Sequence, residues 1–225
     1  MPQLPELTLL HTRVLGVLVE KQHTVPDTYP LSLNAIVSGC NQKTSRDPVM
    51  NVTEAEAQAA IDELKAMSLV MEGSGSRVTR YEHNVDRVLH LPPQSVAIIT
   101  VLMLRGPQTP GELRINCERL YKFSDISSVD AFLAELRDRP AGSLVVELPR
   151  KPGARENRWA HLLSGVPAVE AVVEAPAVMP AALSAVLPTE ADDLRERLAR
   201  LEYEVSELKA MIAKLSNVSG GSGVS

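Results

Sequence analysis

The sequence predicts a mainly α fold with small β-hairpin wings, an α+β chain of two tandem winged-helix domains and a C-terminal coiled-coil helix. Three observations predict it. First, the chain repeats itself: Ile61-Asp62-Glu63-Leu64-Lys65 leads into Ser68-Leu69-Val70-Met71-Glu72, and Leu133-Ala134-Glu135-Leu136-Arg137 leads into Ser143-Leu144-Val145-Val146-Glu147. Each copy must be one supersecondary unit. Second, the hydrophobic periodicity inside each copy runs helix, helix, helix, strand, strand, which is the order of a winged helix. Third, the C-terminal region carries an unbroken heptad pattern.

The first unit, residues 1–88, opens with a helix near Thr8–Lys21, where Leu10, Val14, Val17 and Leu18 recur at helical spacing. Val25-Pro26-Asp27 ends it, and Pro30 marks the start of a second helix to about Cys40 with Leu33, Ile36, Val37 and Cys40 inward. A polar turn, residues 41–48, precedes a third helix from Thr53, where Thr53-x-x-Glu56 forms a capping box. Its inward face is Ala57, Ala60, Ile61 and Leu64. Leu69–Glu72 and Arg77–His83 read as strands joined by the flexible turn Gly73-Ser74-Gly75-Ser76, the first wing.

The second unit, residues 89–164, repeats the plan. Its first helix, Val96–Leu104, is apolar nearly all round and so must be covered on more than one side, between domains or between subunits. Gly106-Pro107 breaks it, and Thr109 or Pro110 starts a short helix to about Leu120. A third helix, Ser128–Arg137, has a capping pattern in Ser127-x-x-Asp130 and Val129, Phe132, Leu133 and Leu136 inward. Leu144–Leu148 and Arg158–Leu163 form the second hairpin, turned at Pro152-Gly153.

Residues 165–190 are an Ala/Val/Pro-rich linker, and residues 216–225 a Gly/Ser tail expected to be disordered. Between them, residues 191–215 place Leu198, Val205 and Ile212 at a and Leu194, Leu201, Leu208 and Leu215 at d. Leu at d with β-branched residues at a favours a parallel dimer, and Arg197 would then meet Glu202, and Glu204 meet Lys209, across the pair. The alternative is an amphipathic helix that folds back on its own domains.

Composition bounds the function classes. The net charge of −5 argues against indiscriminate nucleic-acid binding, although residues 89–164 lean basic. No long apolar run or leader is present, so a cytoplasmic chain with no membrane association is expected. Cys40 and Cys117, each four residues after a Leu or Ile on the second helix of its unit, read as small buried hydrophobes. His11, His23, His83, His90 and His161 make no ligand spacing, Glu6 and Glu20 read as solvated, and no phosphate loop or nucleophile elbow occurs. The expectation is no metal, no cofactor and no enzyme.

The stretches Leu33-Asn34-Ala35, Asn41-Gln42-Lys43 and Arg46-Asp47-Pro48-Val49-Met50 resemble the YceH-like family of bacterial proteins. So do residues 105–113 and Leu148-Pro149-Arg150-Lys151-Pro152-Gly153, and the resemblance covers about residues 7–163. It implies tandem winged helices and supplies no catalytic residue. Winged helices most often bind duplex DNA by a third helix in the major groove and a wing on the backbone. Here the third helices are poor readers: the first shows Glu54, Glu56, Asp62 and Glu63, the second Asp130 and Glu135. The candidate phosphate contacts are Arg77 and Arg80 by the first wing, and Arg150, Lys151, Arg155 and Arg158 around the second. Lys43 and Arg46 in the polar turn are a further pair. For them the competing reading is a turn in which Asn41 and Asp47 satisfy backbone groups while Arg46 pairs with a carboxylate. The expected protein is a homodimer of the transcription-regulator type that contacts DNA; the alternative is a protein-protein interaction module that has lost DNA binding.

Overall fold

Thr8 opens the first helix, α1 (Leu9–Thr24), as a reciprocal cap: its Oγ1 accepts from His11 N at 3.1 Å, and His11 Nδ1 accepts from Thr8 N at 3.2 Å. Two of the first turn's orphan donors are met in this way. The computed structural model to which this helix belongs describes residues 6–73, 78–150, 153, 156–166 and 200. After a 3-10 turn at Pro26–Thr28 the chain forms a two-residue strand, β1 (Leu31–Ser32). The helix expected from Pro30 begins later, as α2 (Leu33–Cys40), because Leu31 and Ser32 pair with a strand of the hairpin and Ser32 Oγ caps Ala35 N at 3.4 Å.

The capping box that starts α3 (Glu54–Ala66) forms as its residues suggest, with Thr53 N donating to Glu56 Oε2 at 2.8 Å and Glu56 N to Thr53 Oγ1 at 3.3 Å. Ala57, Ala60, Ile61 and Leu64 are its buried face. β2 (Val70–Gly73) and β3 (Arg80–His83) follow, giving an antiparallel sheet in the order β1-β3-β2 with Val70 opposite His83 and Gly73 opposite Arg80. An unanticipated short helix, α4 (Val85–Leu89), leads to the second repeat.

That repeat comprises α5 (Pro93–Arg105), α6 (Pro110–Asn116), α7 (Ile126–Arg137), β4 (Val145–Leu148) and β5 (Arg158–His161). Thr109 and Glu112 cap α6 reciprocally at 2.8 and 3.2 Å. The cap of α7 is Asp125, whose Oδ1 accepts from Ser128 N at 2.7 Å, and not the Ser127-x-x-Asp130 pattern. The repeats agree in detail: Leu31 pairs with Tyr81 at the edge of the first hairpin, and Gln108 pairs with Trp159 at the edge of the second. The fold is therefore mixed α+β, with helices carrying small antiparallel hairpins.

The opening helices of the two repeats pack on each other. α1 is buried continuously from His11 to Val19, and α5 from Ser95 to Leu104. The cover that the all-apolar Val96–Leu104 requires thus includes α1 of the same chain. Gly16 permits this approach, since a Cβ there would stand 2.8 Å from the Leu104 side chain. One hydrophobic core runs from Leu7 to Leu163 through both repeats, and Leu7 N donates to Leu163 O at 2.8 Å. Residues 74–77 between β2 and β3, the linker from residue 167, the heptad residues and the Gly/Ser tail lie outside the described residues.

Candidate functional site

The polar turn after α2 is where the repeats meet. Its Asp47 N–H donates to the Leu104 carbonyl at 2.8 Å, satisfying one of the orphan carbonyls at the end of α5 from the other repeat. Asn41 braces the turn, accepting from Val52 N at 2.6 Å and donating to Val52 O at 2.8 Å. Ser45 stands at φ 59°, a left-handed conformation uncommon outside glycine. Arg105, the last residue of α5, donates to Ser45 Oγ at 2.7 Å.

Arg46 corrects its own expected role. It is buried, and its donors are directed inward: Nε to Gly39 O at 3.1 Å, Nη1 to Glu20 Oε1 at 3.1 Å, and Nη2 to Glu20 Oε2 at 2.6 Å and Gln42 Oε1 at 2.7 Å. The bidentate pair with Glu20 leaves nothing to offer a phosphate. Glu20, read as solvated, is the half-buried partner: partial burial pushes its carboxyl up, but Arg46 and then Lys21, 3.2 Å away, outweigh this and hold it below its ordinary value. Arg13 on α1 was not anticipated as a buried group. Fully buried, it donates to Cys40 O at 3.1 Å and Pro48 O at 2.6 Å, tying both ends of the turn to α1.

Beside this network lies a cleft of about 80 Å3, walled by Glu20, Ser45, Arg105, Asn116, Arg119 and Leu120 among others. It opens between α1 and the turn of the first repeat and the ends of α5 and α6 of the second. Arg119 has no hydrogen bond or ion pair among the described residues, and Asn116 Nδ2 is fixed on Gln108 Oε1 at 2.7 Å. Arg105 and Arg119 stand apart in sequence and flank neither hairpin, so no local cluster of charge marks them.

The other expected contacts are distributed differently. Lys43 is exposed, with no partner among the described residues. Arg80 is exposed but donates to Thr28 O and Pro30 O at 3.2 and 2.8 Å, bracing the start of β3 against the chain entering β1. Arg150 is exposed and donates only to the amide oxygen of Asn157, at 3.1 Å, while Asn157 donates to Glu147. Arg158 is half-buried, its Nε without a partner. Arg77, Lys151 and Arg155 lie outside the described residues, as do Leu194, Leu198, Leu201, Val205, Leu208, Ile212 and Leu215 of the heptads. Among the described residues, neither Arg150 nor Arg158 makes a hydrogen bond or ion pair to the polar turn.

A family model described as "Protein of unknown function, DUF480" matches residues 7–154, which span both repeats and the whole junction. The chain belongs to the DUF480 family. Its DUF480 relatives include a UPF0502 protein of Dechloromonas aromatica, 57% identical over 212 residues that cover 94% of this chain and 97% of the relative. A UPF0502 protein of Burkholderia orbicola is 57% identical over 96% of this chain and 91% of its own, and one of Burkholderia pseudomallei 57% identical over 97% and 92%. The DUF480 match is the resemblance anticipated from the residues around Arg46 and Arg105.

Within this DUF480 chain both thiols are buried; burial pushes Cys40 up to about 11 and Cys117 to about 12, so neither is a nucleophile near neutrality. Among the described residues no group of three or more His, Cys, Asp or Glu could hold a metal, and no helix is long and apolar enough to cross a membrane.

Proposed function

We propose that the protein is a dimeric, transcription-regulator-type protein on two winged-helix units, acting by binding and contacting duplex DNA through phosphates. The carrying observation is where the unpaired cations lie. On the third helix of each repeat every cation is ion-paired, Lys65 with Glu72 and Arg137 with Asp138, at 2.8 Å for the latter. Outside those helices Lys43, Arg105, Arg119 and Arg150 have no carboxylate partner among the described residues. Contacts from turns and hairpins to phosphate position a protein on DNA without reading sequence.

The test is a mobility shift on random duplex DNA at about 50 and about 200 mM salt. Binding should weaken steeply, with a slope near −0.9 per phosphate contacted. The Arg150→Ala/Lys151→Ala/Arg155→Ala variant should bind more weakly and show a shallower slope. The heptad residues supply the proposed parallel dimer contact; deletion of residues 189–225 should halve the mass in solution and weaken the shift. No binding at low salt would sink the DNA reading. The second reading, an interaction module for a basic protein partner, would then stand on the exposed carboxylates Glu54, Glu56, Asp62 and Glu63 of α3.

A further inference from the structure

We infer that the cleft between the repeats is an oxyanion site that takes a phosphate group. The cleft has room for a small ion: about 80 Å3 lies far below the roughly 300–1,000 Å3 of sites that enclose drug-sized ligands. Its charge is positive once the pairs are resolved. Glu20, the acidic group in the wall, is saturated by Arg46 at 2.6 Å and Lys21 at 3.2 Å. The two other charged groups in the wall, Arg105 and Arg119, have no carboxylate partner among the described residues. Two guanidiniums facing one small space repel each other, and a phosphate between them removes that repulsion while accepting from both.

The remaining wall is built for an acceptor-rich guest. Arg105 is not a loose surface side chain, because its Nη2 is anchored on Ser45 Oγ at 2.7 Å. Ser45 accepts that bond, which leaves its own hydroxyl proton to donate. Its backbone is held at φ 59° by the turn, and a non-glycine residue in that region marks a place where the fold accepts local strain. Ser45 O accepts from Arg46 Nη1 at 2.9 Å, so the hydroxyl carrier is tied to the same buried network that neutralises Glu20. Asp47, the carboxylate of the turn itself, does not line the cleft; its side chain lies beside Gly106.

The phosphate could be free in solution or belong to a nucleic-acid backbone, and the site is the same for both. It does not depend on the DNA reading. The full-length chain is titrated calorimetrically with inorganic phosphate, with ionic strength held constant by chloride. Saturable binding at one ion per chain is expected. Arg119→Ala should weaken it at least about tenfold, Arg119→Lys less, and Arg87→Ala, an exposed arginine outside the cleft wall, should leave it unchanged. Because Arg119 is exposed and partnerless, Arg119→Ala should unfold at the same temperature as the parent without phosphate. Heat that never saturates, or saturable binding equally strong in Arg119→Ala, overturns the site. The duplex shift distinguishes the sources: a parallel loss in Arg119→Ala assigns the phosphate to a DNA backbone, an unchanged shift to a free ion. Phosphate binding without any duplex shift would overturn the DNA reading alone.

Discussion

Lys43 and Arg46 share one turn, one charge sign and similar neighbours, yet one faces solvent and the other is sealed in. The difference is a partner distant in sequence: Glu20 on α1 accepts both Nη groups of Arg46. Glu20 is half-buried and keeps Lys21 at 3.2 Å, so losing Arg46 should cost less than the roughly 3–5 kcal/mol of a fully buried pair, about 2–3 kcal/mol. Arg46→Ala should therefore destabilise by about that amount in urea unfolding, whereas Lys43→Ala should stay within about 0.5 kcal/mol. Equal effects would contradict the burial of Arg46. The opposite order is expected for DNA binding, where Lys43→Ala weakens the complex and the Arg46 side chain contributes no contact. The sequence offered both readings of Arg46; only the juxtaposition of α1 with the turn selects between them, and local spacing cannot express it.

At the level of elements, what could be read was what local chemistry controls. The Thr53–Glu56 box and the Ala57, Ala60, Ile61, Leu64 face follow from spacings of three and four, and both form. β1 escaped because two residues carry no alternation. α1 buries more than the stripe of Val14, Val17 and Leu18: His11, Thr12 and Arg13 lie inside as well, and each finds a partner, Thr12 Oγ1 on Leu9 O at 3.0 Å and His11 Nε2 beside Glu63 at 3.0 Å. A close helix approach is equally silent in the sequence. At Gly39 of α2 a Cβ would stand 2.5 Å from Val17 Cγ1 of α1, and Val17 is wholly buried with nowhere to retreat. Gly39→Ala should cost about 1–3 kcal/mol, and Val17→Ala in the same chain should recover part of it. A strictly additive double variant, measured by chemical unfolding, would show that the two helices do not meet there.

Across the whole molecule the duplication extends to its response to acid. β3 reads Arg80-Tyr81-Glu82-His83 and β5 reads Arg158-Trp159-Ala160-His161, so each repeat ends its hairpin on a histidine opposite the first residue of the partner strand. Burial lowers both, each to about 4 from 6.5. His83 Nε2 lies 2.6 Å from Gln22 Oε1, and Asp86 at 4.0 Å from Nδ1 only partly offsets the cost of charging it; His161 Nδ1 has no partner. Above about pH 6.5 both are neutral folded or unfolded, and neither biases folding. Between about 6.5 and 4 the unfolded chain takes up protons that the folded chain refuses, so stability falls as pH falls, by an amount on the order of 3 kcal/mol per histidine at most. Glu20 acts lower: its depressed carboxyl contributes above its unfolded value and is lost as pH drops through the folded one. The decline should therefore have two origins that substitution separates. His83→Gln/His161→Gln should flatten the change in unfolding free energy between about pH 6.5 and 4.5 while leaving the drop below about pH 4 in place. Each single variant should remove about half, because the two sites lie in separate hairpins and act independently. A double variant that loses stability as steeply as the parent over that interval would show that the paired hairpin histidines do not carry the acid response.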